Sequence, residues 1–239
     1  MDTPIYKRIL LKLSGESLSG KNREGILDPE AIAFVSRQIK SAKDMGVEIA
    51  AVVGGGNIIR GQSTRIAAID RVSADYMGML ATIINSLALR DQLCALGIPS
   101  RVMSAIHIER LTEPFTKKEA VKHLSDGEVI ILAGGTGNPY FTTDTTAALR
   151  AAEIEADVVM KGTKVDGVYD QDPVKNSAAR MFDQLTYTEA LSRRLKVMDL
   201  TAISFCMENR LPIIVFNFNQ DGNLKRVLSG EKIGTRVNQ

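Results

Sequence analysis

The feature that most constrains this chain is a regular alternation of short apolar runs with longer amphipathic stretches, in which several of the apolar runs end in glycine-rich loops. Arg8–Leu13 (RILLKL) reads as a buried strand. Asp28-Pro29-Glu30 then opens a helix, with aspartate as N-cap and proline at the first helical position, and Gly46 stops it. Residues 47–53 (VEIAAVV) form a second strand running into Gly54-Gly55-Gly56, and a long helically periodic segment spans residues 69–96 before Gly97-Ile98-Pro99 ends it. There follow a strand at Ser100–Ser104, a capping-box pattern at Thr116-Lys117-Lys118-Glu119, and a strand over 128–133. A loop over 134–143, a helix to Ala156, a strand over 157–161 and a late core strand over 212–218 complete the pattern, with Thr186 and Asp199 as further N-caps. Such alternation predicts an α/β fold, a three-layer sandwich with a mainly parallel central sheet between helices. There is no repeat, low-complexity tract or flexible linker, so residues 1–239 are expected to form a single domain.

Charge excludes some functions. Thirty basic residues against 28 acidic ones leave a net charge of +2, which gives no general attraction to nucleic acid. The two cysteines, Cys94 and Cys206, have no CxxC partner and are expected as reduced core thiols rather than a disulfide or zinc site. His107 and His123 share no metal-ligand spacing, and His123 is expected on a polar helix face; no metal-binding residues are assigned. No apolar stretch reaches the roughly 18 residues of a membrane span. The N-terminal MDTPIYKRILLKLSG also lacks a signal-peptide cleavage site, so a cytoplasmic protein without membrane or nucleic-acid partners is expected.

In open α/β sheets, ligands bind beyond the carboxyl ends of the strands. Four unusual loops fall there, at residues 13–15, 54–60, 134–143 and 162–172, which between them carry glycines with Lys, Arg, Thr or Asp. Glycines 54–56 let backbone N–H groups approach phosphate oxygens, and Arg60 could neutralise their charge; a tight turn with a solvent-facing arginine is the plain alternative. The segment is no GxGxxG fingerprint, because Ile59 stands in the last glycine's place. Gly15-Glu16-Ser17-Leu18-Ser19-Gly20-Lys21-Asn22 nearly matches a P-loop, but Asn22 replaces the magnesium-binding hydroxyl and no helix follows at once. Lys12 interrupts the apolar run of the first strand, where it must either reach solvent at the strand's end or hold an anion. Asp144, at a helix start, could cap that helix, orient lysines or engage magnesium; Lys161 and Lys164 flank Gly162-Thr163 in the next loop.

These residues carry a resemblance. KLSGE from Lys12, GGGN with Arg60, DYMGMLAT from Asp75, TGNPYFTTD from Thr136, EADVVMKGTKVDGVYDQDP from Glu155 and LKVMDLTA from Leu195 resemble, in order and over essentially the whole chain, the bacterial uridylate kinase pattern of the amino acid kinase superfamily. TGNPYFTTD separates that family from its amino-acid-phosphorylating relatives. The resemblance implies transfer of the γ-phosphate of ATP to UMP, with Mg2+ accompanying ATP, in pyrimidine nucleotide biosynthesis. It implies ATP contacts at Lys12, Leu13, Ser14, Gly15, Gly56, Arg60, Thr163, Tyr169 and Asp172. UMP contacts follow at Gly55, Asp75, Thr136, Gly137, Asn138, Pro139, Tyr140, Phe141, Thr142 and Thr143. Lys12, Arg60, Asp144 and Lys161 are the expected catalytic set.

The resemblance further implies a homohexamer, inhibition by UTP and an effector site for GTP. Arg101 stands where the family often supplies a basic effector contact, and Gly20, Lys21, Asn22, Arg23, Glu24 and Gly25 match the loop linked to activation. Glu128, where some activated relatives carry arginine, leads us to expect only weak GTP activation. The alternatives are an amino acid kinase with a carboxylate or carbamate acceptor, and a nucleotide-sensing regulatory subunit. An NAD-linked dehydrogenase lacks its fingerprint.

Overall fold

β1 (Arg8–Leu13) is buried along both faces, so the sheet it belongs to must be covered by helices on each side. The computed structural model of the chain describes residues 3–20, 25–59 and 69–239. Its further strands are β2 (Glu48–Val53), β3 (Ser100–Ser104), β4 (Glu113–Pro114), β5 (Val129–Ala133), β6 (Val158–Thr163), β7 (Val168–Tyr169), β8 (Met181–Phe182), β9 (Gln184–Thr186), β10 (Ile213–Asn217) and β11 (Thr235–Asn238). The helices are α1 (Pro29–Lys43), α2 (Arg71–Ala95), α3 (Lys117–Ser125), α4 (Thr143–Glu153), α5 (Tyr187–Ser192), α6 (Leu200–Glu208) and α7 (Asn223–Leu228).

Among the described residues nine strands form one sheet in the order β4-β3-β5-β2-β1-β6-β10-β11-β9, with β1 at its centre. β10 and β11 make its one antiparallel pairing, and β7 and β8 form a separate antiparallel ribbon. Successive side chains of a strand point to opposite faces. Ile9, Leu11 and Leu13 therefore enter one core with α1, α2 and α7, while Leu10 enters a second with α3, α4, α5 and α6. This is the expected three-layer sandwich. Lys12 shares the face of Leu10.

The chain first builds one side of β1, where β2, β5, β3 and β4 stand in that order outward, then returns to the other side of β1 with β6 and β10. β1 and β6 thus flank the point where the strand order reverses, the usual place for a ligand crevice. The opposite end of these strands is fastened by a half-exposed to buried polar knot. Arg8 pairs with Glu48 at 2.6 Å and donates to the Ile154 carbonyl at 2.6 Å, and Asp157 accepts the Lys7 and Arg8 backbone N–H groups at 2.7 and 2.8 Å.

α2 is capped by Asp70 and has two apolar faces. Met79, Ile83, Leu89 and Leu93 are buried, while Val72, Tyr76, Leu80 and Ile84, spaced four apart, are exposed. The sequence has no uninterrupted apolar run of membrane length, yet α2 is long and apolar enough to cross a membrane by length and composition alone. In the fold it is a core helix. Two other expectations are corrected. His123 is not on a polar face but buried against Glu113 and Glu128, and Cys94 is exposed, so only Cys206 is a core thiol.

Candidate active site

Lys12 and Lys161 sit directly opposite each other in the parallel register of β1 and β6, so their side chains leave the sheet on the same face. That face is covered by α4, whose N-cap is Thr142: its hydroxyl accepts the N–H groups of Asp144 and Thr145 at 3.0 and 3.3 Å. Asp144 is therefore not the cap. Its carboxylate is free for the lysines, with Oδ1 2.8 Å from Lys12 Nζ and Oδ2 2.9 Å from Lys161 Nζ. Lys161 also donates to the Val197 carbonyl at 2.7 Å.

The three side chains are 12, 16 and 15% exposed for Lys12, Lys161 and Asp144, so the charges are only partly screened. Burial works to raise the Asp144 carboxyl, but the two lysines beside it hold it below its ordinary 3.8. Burial is the main cause that lowers Lys161 from 10.5; Asp144 opposes it and the Lys12 charge reinforces it. The cluster carries one net positive charge and faces the reversal crevice.

The glycine loops stand around it. A Cβ on Gly15 would lie 2.3 Å from Asn57 Oδ1 and 2.4 Å from the Gly54 carbonyl, so the turn after β1 and the loop after β2 touch through bare backbone. Asn85 of α2 holds this contact: it donates to the Gly54 carbonyl at 2.7 Å and exchanges amide hydrogen bonds with Asn57 at 2.8 and 3.0 Å. Gly15–Leu18 is a single 3-10 turn and α1 begins only at Pro29, which agrees with rejecting a P-loop. Ser14 caps that turn, accepting the Glu16 N–H at 3.3 Å. Lys164 bridges to Glu16 at 2.9 Å across the crevice mouth. Thr163 donates to the Val165 carbonyl at 2.6 Å, and Tyr169 lies on the β7 ribbon. Asp172 caps the turn that follows by accepting the Val174 N–H at 3.1 Å.

Beside the cluster lies a cavity of about 210 Å³ whose walls include Gly55, Gly56, Asp75, Gly135, Phe141 and Thr143. Asp75 is no idle helix-surface carboxylate. It accepts the Tyr140 N–H at 2.8 Å and pairs with Arg71 at 2.8 Å, tying α2 to the loop after β5. Tyr140 itself has φ 72, a strained value for a non-glycine residue, and Arg71 lies over its ring at 5.3 Å. Thr136 and Asn138 hydrogen-bond to one another within the loop, which continues through Gly137 and Pro139.

The structure thus brings together Lys12 to Gly15, Gly55, Gly56, Asp75, Tyr140 to Thr143, Asp144, Lys161 and Thr163, whereas Thr136 lines a separate cleft and Gly137, Asn138 and Pro139 are not on the cavity wall. Arg60 lies outside the described residues, as do Lys21, Asn22, Arg23 and Glu24 of the activation loop. Gly20 and Gly25 are described. Arg101 does not join them within one chain: it is near the start of β3, whereas Gly20 follows the far end of β1, three strands across the sheet.

Some residues that shape the site were not foreseen. Asn85 is one, and a buried asparagine within an apolar helix stripe was the available signal. Asp199 is another. Recognised only as the N-cap of α6, it also accepts from the Thr142 hydroxyl and from Thr145 Oγ1 at 3.0 Å, joining α6 to the start of α4.

The model of the amino acid kinase family matches residues 7–217 of the chain. Among solved structures, UMP kinase from Bacillus anthracis is 38% identical with a TM-score of 0.94, covering 98% of this chain and 96% of its own. UMP kinase from Ureaplasma parvum is 39% identical with a TM-score of 0.92, covering 98 and 99%. Uridylate kinase from Archaeoglobus fulgidus is more distant, at 28% identity and a TM-score of 0.74 over 96 and 99%.

The lysine cluster makes a direct prediction about stability. Because the folded Asp144 pKa is lowered, its contribution is complete above 3.8 and is lost as pH falls through the lower folded value. Asp144→Asn leaves two lysines facing each other without an anion and should cost about 3–5 kcal/mol at neutral pH by urea unfolding. A loss below about 1 kcal/mol, the scale of an exposed ion pair, contradicts the geometry.

Proposed function

The chain belongs to the amino acid kinase family, and we propose that within it this protein moves the γ-phosphate of ATP onto UMP to give UDP, a step of pyrimidine nucleotide biosynthesis. The observation that carries the reading is the Lys12–Asp144–Lys161 cluster, set between glycine loops on one side and the Asp75 cavity on the other. The likeness to UMP kinases supports the choice of acceptor.

In this reading ATP occupies the side of the cluster bounded by Leu13, Ser14, Gly15, Thr163, Tyr169 and Asp172. UMP occupies the cavity of Gly55 and Asp75 beside the 136–143 loop. An oxygen of the UMP phosphate attacks the γ-phosphorus, the bond to the bridging oxygen breaks, and its electron pair leaves on ADP. The attacking oxygen is already ionised near neutral pH, so no general base is required. What the reaction needs is alignment of two polyanions and cancellation of their repulsion. Lys12 and Lys161 supply the charge, Asp144 fixes their direction, and Arg60 assists. Among the described residues no three His, Cys, Asp or Glu side chains converge on one point, and both Asp144 oxygens face lysines. The residues present therefore do not form a cage for magnesium; the ion belongs with the ATP phosphates, where it neutralises charge.

We place the enzyme in the cytoplasm, a setting that suits two free thiols. The exposed row of Val72, Tyr76, Leu80 and Ile84 supports the homohexamer, since a second apolar face on α2 asks for a partner copy. UTP inhibits in competition with UMP, because the shared uridine fits the acceptor cavity while the added phosphates reach towards the ATP side. GTP acts weakly. Arg101 pairs with Glu113 at 2.6 Å and hydrogen-bonds Glu128, and those bonds raise its pKa further. The groove around it is lined by Arg90, Arg101 and Arg110 but equally by Glu109, Glu113 and Glu128, a poor surface for a triphosphate.

A coupled assay of ATP consumption with UMP, CMP, AMP and glutamate tests the function: UMP should be strongly preferred, and a preference for glutamate refutes the reading. Asp75→Ala should raise KM for UMP far more than KM for ATP, since only one substrate loses contacts; equal changes contradict the assignment. Titration of GTP at saturating ATP should raise the rate only modestly, and strong activation at micromolar GTP shows that the glutamates around Arg101 do not matter. Sedimentation at micromolar concentration should find an assembly, and a monomer contradicts it.

A further inference from the structure

Arg150, in the last turn of α4, is 6% exposed, although arginine is rarely buried unless each of its faces is engaged. One flat face of its guanidinium lies 4.0 Å from the centroid of Phe115. Nη1 pairs with Glu153 at 2.6 Å. Nη2 donates to the carbonyl of Gly135 at 3.4 Å, a long bond that aims the remaining edge at the loop after β5.

That loop is held mostly by backbone: the Gly137 N–H donates to the Gly134 carbonyl at 3.1 Å, Thr136 and Asn138 hydrogen-bond each other, and its glycines pack closely on Ser104, Ala105 and Ile106. Gly134, Gly135 and Gly137 have φ of 74, 62 and 82°, and as glycines they bring no side chains to pack. On the cavity side it leans on α2: the Gly134 N–H donates to Thr82 Oγ1 at 2.9 Å, and Met79 lies 3.5 Å from where a Gly135 Cβ would be. On the other side is a second cleft of about 460 Å³, whose walls include Thr136, Phe115 and Arg150. The loop is thus a thin partition between two spaces, resting on the segment after β3, with α2 in front and Arg150 the side-chain donor behind.

We infer that Arg150 is a positioning residue for acceptor binding, holding the glycine partition in place from the side opposite the substrate. This rests on the proposed use of the cavity for UMP. Lysine cannot replace it, because a compact ammonium cannot stack on Phe115 while bridging Glu153 and the Gly135 carbonyl.

The test compares wild type with Arg150→Lys and Arg150→Met by amide hydrogen exchange of the ligand-free protein and by steady-state kinetics. The inference predicts roughly tenfold faster exchange over residues 134–138, with β5 and α6 unchanged. It also predicts KM for UMP raised roughly tenfold with KM for ATP within about twofold. Unchanged loop exchange in a folded variant overturns it. So does faster exchange throughout the protein, which marks a merely structural arginine, or faster loop exchange with an unaltered KM for UMP. If wild type does not phosphorylate UMP, the acceptor assignment fails, and loop exchange alone still decides the role of Arg150.

Discussion

Two ammonium groups with little solvent around them cannot stand side by side on neighbouring strands unless an anion stands between them, and Asp144 is that anion. The rest of the crevice depends on this arrangement. It requires β1 and β6 to be adjacent and in register, which the reversal of strand order provides. It requires α4 to begin above their ends, and the β5–α4 loop to stop where Thr142 can cap the helix, leaving Asp144 uncommitted. One carboxylate shared by two lysines keeps a net positive charge preorganised for phosphate, so little reorganisation is needed when a polyanion arrives.

Around that charge the molecule keeps its backbone bare and its supports distant. Gly15 meets Gly54 with no room for a side chain, and the 134–137 turn is glycine-rich. Bare backbone is good for phosphate approach and poor at holding its own shape. The supports come from α2 and α4: Asn85 on the loop after β2, Thr82, Met79 and Asp75 on the loop after β5, and Arg150 from behind. α2 explains its unusual length in this way. It reaches across two ligand loops while presenting a second apolar face outward.

Much of this was legible in the sequence where periodicity was long. β1 and β3 have the bounds that their apolar runs predict, and α2, at Arg71–Ala95, lies within the expected 69–96 segment. Lys12 stood out because a lysine inside an apolar strand needs a reason. The two-residue strands β4, β7 and β8 could not be read, because so few positions show no period. Buried polar links were also hidden. His123 looks polar on its own helix, and only tertiary contact with Glu113 and Glu128 buries it. Arg150 and Asp199 likewise acquire meaning from residues that approach them from other elements.

The most direct test of the central claim is the turnover of Lys12→Ala, measured beside its thermal unfolding. Removing Lys12 leaves Asp144 paired with Lys161, so no uncompensated charge is buried and the fold should survive. The expected outcome is a folded protein whose kcat for UMP phosphorylation is lower by roughly 10²–10³-fold, the scale of losing one preorganised charge-stabilising group. A folded Lys12→Ala protein with near-normal kcat would show that the paired lysines are not what the phosphoryl group meets.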